Sequence, residues 1–245
     1  MTFHPRTKAI KTIRSELLGA RVPFTGQVYD KTVGMLGEKQ LRIIENNARP
    51  ADILDGRYPP IELKLHKQNS TTLQTLFTKN PPAVIRALID NFGYSDVERG
   101  RRSFYHTFQN GKDAYFELSV SKDEIELIRK DGRPLVDRSG NRYRLVWSKK
   151  DLRNIFESKL RRLFSGAGQA VEYGDRNEFQ YRNFGIYFEG FKSRAFWQLL
   201  RQGIVAIDFR CHLDSDGRVR DHGIAFRIPR DSMHRLYEYN EVIRK

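Results

Sequence analysis

The stretch Pro59-Pro60-Ile61-Glu62-Leu63-Lys64-Leu65-His66 constrains this chain more than any other. Apolar residues alternate there with a carboxylate, an ammonium and an imidazole. A period of two is the period of a strand, whose successive side chains point to opposite faces. Ile61, Leu63 and Leu65 therefore take one face, against a core, and Glu62, Lys64 and His66 share the other. Charged groups on an otherwise apolar strand are costly to bury without partners or a role. The rest of the chain has to supply both a sheet for this strand and a use for its charged face.

The neighbouring segments read as mixed α and β. Ile10, Ile13, Leu17 and Leu18 fall at helical spacing over residues 8–19, and Gly19 closes the run. A second helix begins near Lys31-Thr32-Val33-Gly34 and carries Glu38. It turns Leu36, Leu41, Ile43 and Ile44 inward and ends at Asn46-Asn47-Ala48-Arg49-Pro50. Asp55-Gly56-Arg57 is a hairpin turn between Asp52-Ile53-Leu54 and the Glu62 strand. The two prolines before Ile61 place the start of that strand at an edge or a bulge. Residues 73–77 form a short strand. Pro81-Pro82 opens a helix (Val84, Ile85, Leu88, Ile89 and Phe92 inside) that Gly93 ends.

Residues 94–112, with Glu98-Arg99-Gly100-Arg101-Arg102, read as an exposed, mobile loop. Strands dominate 113–147. Ser148 caps a basic helix over 149–164, and Ser193 caps another that ends at Gly203. A strand at 204–210 and a polar turn at Asp214-Ser215-Asp216-Gly217 lead to Asp221-His222-Gly223-Ile224-Ala225-Phe226-Arg227-Ile228. A helix over 233–242 closes the chain. This order predicts an α/β (mixed α+β) fold without the regular repetition of a doubly wound sheet. The 245 residues suit one domain with two lobes, with catalytic elements at about 30–95 and reading elements at about 200–230.

Charge narrows the partners. Lys and Arg number 44 against 30 Asp and Glu, a net charge of +14, which points to a polyanion before it points to a generic basic surface. Cys211 is the single cysteine. An intrachain disulfide and a cysteine-based zinc site are excluded, and a reducing compartment fits. No apolar run approaches membrane-spanning length. Met1-Thr2-Phe3-His4-Pro5-Arg6 has no apolar signal core behind it. The expectation is a cytoplasmic protein without membrane association.

Asp52 and Glu62, carried on the two strands of one hairpin, can stand side by side. Two hard oxygen ligands with open positions suit Mg²⁺, which keeps several waters and accepts phosphate oxygens. Lys64 reaches the same side, where it can position an attacking water or stabilise charge on a phosphate. Metal, water and scissile phosphate would then be aligned for in-line hydrolysis. Glu38 can approach from a helix. Against this stands the ordinary role of each residue: a surface E-x-K salt bridge, a turn aspartate, a solvent-facing helical glutamate.

The C-terminal hairpin has a parallel pair of readings. Asp208 and Arg210 alternate on a strand and can simply pair with each other. Alternatively the hairpin enters a DNA groove, where Arg is bidentate to guanine and Asp accepts from cytosine N4. His66, Lys79, Lys149, Lys150, Arg161 and Arg162 are candidates for phosphate contacts, which position without reading sequence.

Two blocks carry a family resemblance. Ile61-Glu62-Leu63-Lys64-Leu65-His66, followed by Leu73-Gln74-Thr75-Leu76-Phe77-Thr78-Lys79-Asn80-Pro81, resembles the active-site stretch of the MvaI/BcnI family of type II restriction endonucleases. Asp221-His222-Gly223-Ile224-Ala225-Phe226-Arg227-Ile228 resembles its recognition segment, nearest to the MvaI-type members. Gly34, Glu38 and Glu45-Asn46-Asn47 are similar to its N-terminal helix. The E-x-K element is common to many nucleases; the two longer blocks are far more specific.

The resemblance implies a MutH-like PD-(D/E)xK nuclease fold, a mixed sheet with flanking helices in two lobes around a DNA cleft. It implies a prokaryotic enzyme of a restriction-modification system, with a cognate DNA methyltransferase as companion. Such an enzyme acts as a monomer and cleaves double-stranded DNA with Mg²⁺ at short, nearly palindromic CC-N-GG sites. Glu62 and Lys64 match the E-x-K, Glu38 the helical glutamate, and Asp208, Arg210, Asp221, His222 and Arg227 the base-reading segment. Asp52 fits the family's Asp-then-apolar pattern and is the expected ligand; Asp55 fits the MutH spacing and is the alternative. Thr78 stands where MvaI-type members carry threonine and others a histidine, which favours a central A·T pair, CC-W-GG. Two rivals remain: a MutH-like nicking endonuclease of mismatch repair, and a module that binds DNA without cutting it.

Overall fold

The computed structural model describes residues 7–43, 52–55, 58–81, 84–173 and 176–245. The sequence readings at Met1–Arg6, Ile44–Pro50, Gly56-Arg57 and Pro82 lie outside the described residues. Helix α1 (Lys8–Thr12) widens into a π-helical turn over Ile13–Leu17 and stops at Gly19, whose φ of 70° favours glycine. Then follow β1 (Arg21–Pro23), α2 (Asp30–Gln40), β2 (Ile53–Asp55), β3 (Tyr58–Lys67) and β4 (Gln74–Thr78). Next are α3 (Ile85–Phe92), β5 (Tyr94–Asp96) and β6 (Arg101–Phe108). Shorter strands come after them: β7 (Phe116–Val120), β8 (Glu124–Arg129), β9 (Leu135–Val136), β10 (Arg142–Tyr143) and β11 (Leu145–Ser148). Helix α4 (Lys149–Ile155) ends in a π-helical turn over Phe156–Leu160 and passes into β12 (Arg162–Tyr173) and β13 (Arg176–Phe191). Helix α5 (Ser193–Arg201), β14 (Ala206–Leu213), β15 (Val219–Asp221), β16 (Ala225–Ile228), a 3₁₀ segment over Arg230–Leu236 and β17 (Tyr237–Arg244) complete the chain.

These elements form two compact units, each assembled from separate pieces of sequence. The first comprises Met1–Thr72, Asn154–Lys192 and Met233–Lys245. Its sheet runs β1-β13-β12-β3-β2, with β17 also paired to β13. Strand β3 lies parallel to β12, and the other pairs are antiparallel. Ile61, Leu63 and Leu65 are buried with Ile10, Ile13, Phe164 and Tyr187, as the alternation in β3 requires. Helix α2 comes close to β3 because position 37 is glycine: a Cβ there would meet Leu65 Cδ1 at 2.1 Å.

The second unit comprises Leu73–Arg153 and Ser193–Ser232. Its main sheet runs β4-β16-β14-β6-β5, antiparallel throughout, with β15 on β14. A three-stranded sheet β11-β8-β7 and the hairpin β9-β10 belong to the same unit. In its core the ring of Phe77 stacks on that of Phe226, and both meet the Phe196 ring at a tilt.

Three expectations fail. Residues 94–112 do not form a loop, because β5 and β6 form a hairpin whose second strand pairs with β14 and buries Ser103, Phe104 and Phe108. The helix after Ser148 stops at Leu160, so Leu163 lies in a strand. The helix over 233–242 is absent; Tyr237 and Ile243 are buried from β17, whose ladder partner β13 decides against a helix.

Candidate functional site

In the first unit, Ile53 of β2 pairs antiparallel with Ile61 of β3. That register sets Asp52 across from Glu62, whereas Asp55 pairs with Tyr58. Asp52 Oδ2 accepts the backbone N–H of Leu63 at 2.6 Å. Lys64 Nζ donates to Glu62 Oε1 at 2.6 Å, and both side chains are largely withdrawn from solvent. Burial, and then the negative charge of Glu62, push the Asp52 carboxyl from 3.8 up to about 6, against the opposing pull of Leu63 N–H, Lys64 and Lys159. Two carboxylates thus share one close ammonium, and like charges withdrawn from water resist joint ionisation.

A divalent cation would relieve that imbalance. Among the described residues no group of three or more His, Cys, Asp or Glu is arranged to hold an ion. Two carboxylates are nevertheless the donor number that suits Mg²⁺, which fills its remaining positions with water and phosphate oxygens. Glu38 sits half-buried on α2, on the side of β3 that Leu65 faces, and its charge acts on the Tyr181 hydroxyl. Glu62 and Lys64 occupy the opposite face. His66 continues their row on β3 and is half-buried.

The sequence reading missed Tyr237. Its side chain is buried, and among the described residues its hydroxyl has no hydrogen-bond partner. Burial and the charge of Glu62 both hold that phenol in its protonated form. Reading residues 233–242 as a helix hid it.

In the second unit, Asp208 is 1% exposed and sits at the centre of a cluster on β14. Thr107 Oγ1 donates to Asp208 Oδ1 at 2.6 Å, and Arg210 Nε donates to Oδ2 at 2.9 Å. Arg227 Nε lies 3.1 Å from the same Oδ2, an ion-pair distance without hydrogen-bond alignment. Thr107, Asp208, Ala225 and Thr78 stand side by side across β6, β14, β16 and β4. Tyr105 pairs with Arg210, and the guanidinium carbon lies 5.8 Å from the centre of the phenol ring. His212 belongs to the same row of alternating positions; its Nε2 is 3.1 Å from Asp214, and its Nδ1 has no partner among the described residues. Burial and then Arg101 hold its imidazole below the usual value.

The loop after β15 is tied down by its own polar groups. Asp221 Oδ1 accepts the N–H of Gly223, and Asn80 bonds both Asp221 and the N–H of Ile224. Gly223, at φ 83°, lies against Thr78. Thr78 and His222 are exposed there, and the His222 ring is 5.7 Å from that of His212. Lys79 Nζ lies 3.7 Å from Asp151.

Two expected phosphate contacts fail. Arg162 is fully buried, with its guanidinium bonded to Tyr187 Oη, the Pro59 carbonyl and Thr7 Oγ1. Lys149 is also buried, donating to the Ser121 carbonyl at 2.5 Å beside the Trp197 ring. Lys150 and Arg161 are exposed. Charge type alone could not tell a solvated cation from a structural one.

No curated protein matches the chain. Among solved structures, one described as a restriction endonuclease MvaI-cognate DNA substrate complex matches with a TM-score of 0.71 at 20% identity, over 95% of each chain. A second, described as MvaI in the absence of DNA, matches with a TM-score of 0.49 at 20% identity over 99% of each chain. The first match shows the fold: a mixed α/β architecture shared with that endonuclease. The model of the MvaI/BcnI restriction endonuclease family matches residues 10–237. The chain therefore belongs to the MvaI/BcnI restriction endonuclease family.

Proposed function

We propose that this protein is a type II restriction endonuclease that hydrolyses phosphodiester bonds in duplex DNA at a CCWGG-like site. The observation that carries the reading is the trio of Asp52, Glu62 and Lys64: two carboxylates and one ammonium on adjoining strands, with the Asp52 carboxyl raised to about 6. Asp52 and Glu62 would hold Mg²⁺. Bound there, the ion would supply Lewis-acid activation of a water and neutralise charge on the phosphate.

The chain's own residues do the rest. The Leu63 N–H fixes the Asp52 carboxylate. Glu62 holds the Lys64 ammonium at the site, where it stabilises negative charge on the phosphate or takes part in proton transfer to or from the water. Arg210 and Arg227, aligned on Asp208, would read guanines in the major groove, with Asp208, Asp221 and His222 near the same bases. Thr78 would face the central pair, and His66 and Lys79 would touch phosphates. The protein would work as a monomer in the cytoplasm, beside a methyltransferase of the same specificity.

The test uses purified protein, plasmid DNA and Mg²⁺, with an EDTA control and mapping of all ends. Discrete double-strand fragments ending at CCWGG support the proposal. Nicks confined to hemimethylated sites would move the reading to mismatch repair. Bound but intact DNA would sink both nuclease readings.

A further inference from the structure

The arginines of the second unit are held by a residue that is itself held. Asp208 is buried, and both of its oxygens are engaged: Oδ1 by Thr107 at 2.6 Å, Oδ2 by Arg210 at 2.9 Å and beside Arg227 at 3.1 Å. The arginine side chains remain reachable, at 48% and 24% exposure. Each turns Nε toward Asp208, and among the described residues the terminal nitrogens of both have no hydrogen-bond partner. One carboxylate therefore sets the direction of two free guanidinium forks.

Rotation about the last bond of an aspartate is soft, because that sp³–sp² torsion has broad wells. A carboxylate gripped only at Oδ2 could turn and carry both arginines with it. Thr107 prevents that turn. It stands directly opposite Asp208 in the β6–β14 register. Its own side chain is exposed, so it contributes little to the core. Tyr105, two residues earlier on the same face of β6, lies opposite Arg210 and accepts a hydrogen bond from Arg101 Nη2 at 2.6 Å. Strand β6 thus supports the arginines from the side away from β16.

We propose that Thr107 is a specificity-determining positioning residue: its hydroxyl locks the Asp208 carboxylate and, through it, fixes Arg210 and Arg227 against two base pairs at once. The proposal rests on reading those arginines as base contacts.

The experiment incubates the full chain and Mg²⁺ with a duplex library randomised over seven base pairs and sequences the cut ends. Thr107→Val keeps the side-chain volume and removes the hydroxyl; Thr107→Ala removes it with a smaller side chain should valine pack badly. Discrimination should fall by about tenfold at the two positions that Arg210→Ala and Arg227→Ala each relax singly. Thr107→Ser should restore the wild-type pattern. An unchanged pattern in both hydroxyl-free variants overturns the proposal. Relaxation at one position alone also overturns it, because Thr107 would then touch a base itself. If the arginine variants leave the pattern unchanged, the base-reading assignment fails and the proposal falls with it, an outcome distinct from failure of the threonine variants alone.

Discussion

Two aspartates, half-buried Asp52 in one unit and fully buried Asp208 in the other, show opposite charge balances. Asp52 shares its surroundings with a second carboxylate, Glu62, and one close ammonium, Lys64. Asp208 is alone as a carboxylate and faces two guanidiniums and a hydroxyl. The first cluster lacks positive charge and is suited to receive a cation. The second has an excess of it and presents donors to an acceptor-rich partner. Neither cluster satisfies its charges within the protein alone, which separates both from the Arg162–Tyr187–Glu189 network, where hydrogen bonds engage every member.

The sharpest way to break this comparison is to remove a charge from the first cluster. Glu62→Ala or Lys64→Ala should leave no detectable cleavage, as EDTA should, while Ca²⁺-supported DNA binding in a gel shift persists. Loss of the circular dichroism signal would instead make the pair structural. In the second cluster, Arg227→Ala should cost about 1–3 kcal/mol of discrimination at one base pair, read as the ratio of cleavage rates on cognate and singly substituted duplexes. Uniform weakening on every sequence would reassign Arg227 to the backbone.

A smaller effect concerns stability. The folded-state value of Asp52, about 6, lies above its ordinary 3.8. The folded protein therefore binds the extra proton within that window. Stability is favoured below it and falls as the pH rises through it, with the full penalty present above about pH 6. Asp52→Asn keeps an acceptor for the Leu63 N–H and removes the charge. Without metal at pH 7.5 it should raise stability by about 1–2 kcal/mol, allowing for partial exposure, and the gain should vanish near pH 4. A thermal melt in EDTA at both pH values measures this; equal melting temperatures for wild type and variant at pH 7.5 would show that Asp52 carries no such penalty. Asp52→Asn should also abolish cleavage. Smallest of all, Lys79→Ala should weaken binding evenly across sequences and reduce the slope of log K against log salt by about 1.

Local patterns foretold much of this. The alternation over 61–66 is the register observed, and the placement of Asp52 across from Glu62 follows from a hairpin that the sequence announces. The helix ends at Gly19, Gly93 and Arg201-Gln202-Gly203 follow glycine and apolar spacing. Other parts depend on distant partners. Ser165-Gly166-Ala167-Gly168 lies in β12 because β3 and β13 pair with it on either edge, and Gly185 opposite admits the Phe164 ring, which a Cβ there would meet at 2.2 Å. Arg101 and Arg102 look like a solvated basic run. Their guanidiniums are bound instead by Asp96, Tyr105 and the Ile89 carbonyl.

The sequence by itself determined the family, the charged face of β3 and the residue types at both clusters, because these depend on chemistry and on spacing within a few residues. Only the tertiary structure decided that Asp208 is a buried hub, that Thr107 holds it, and that Arg162 and Lys149 are structural. Those roles are set by cross-strand registers and burial. A ladder between strands a hundred residues apart in sequence leaves no trace of partner or register in either one.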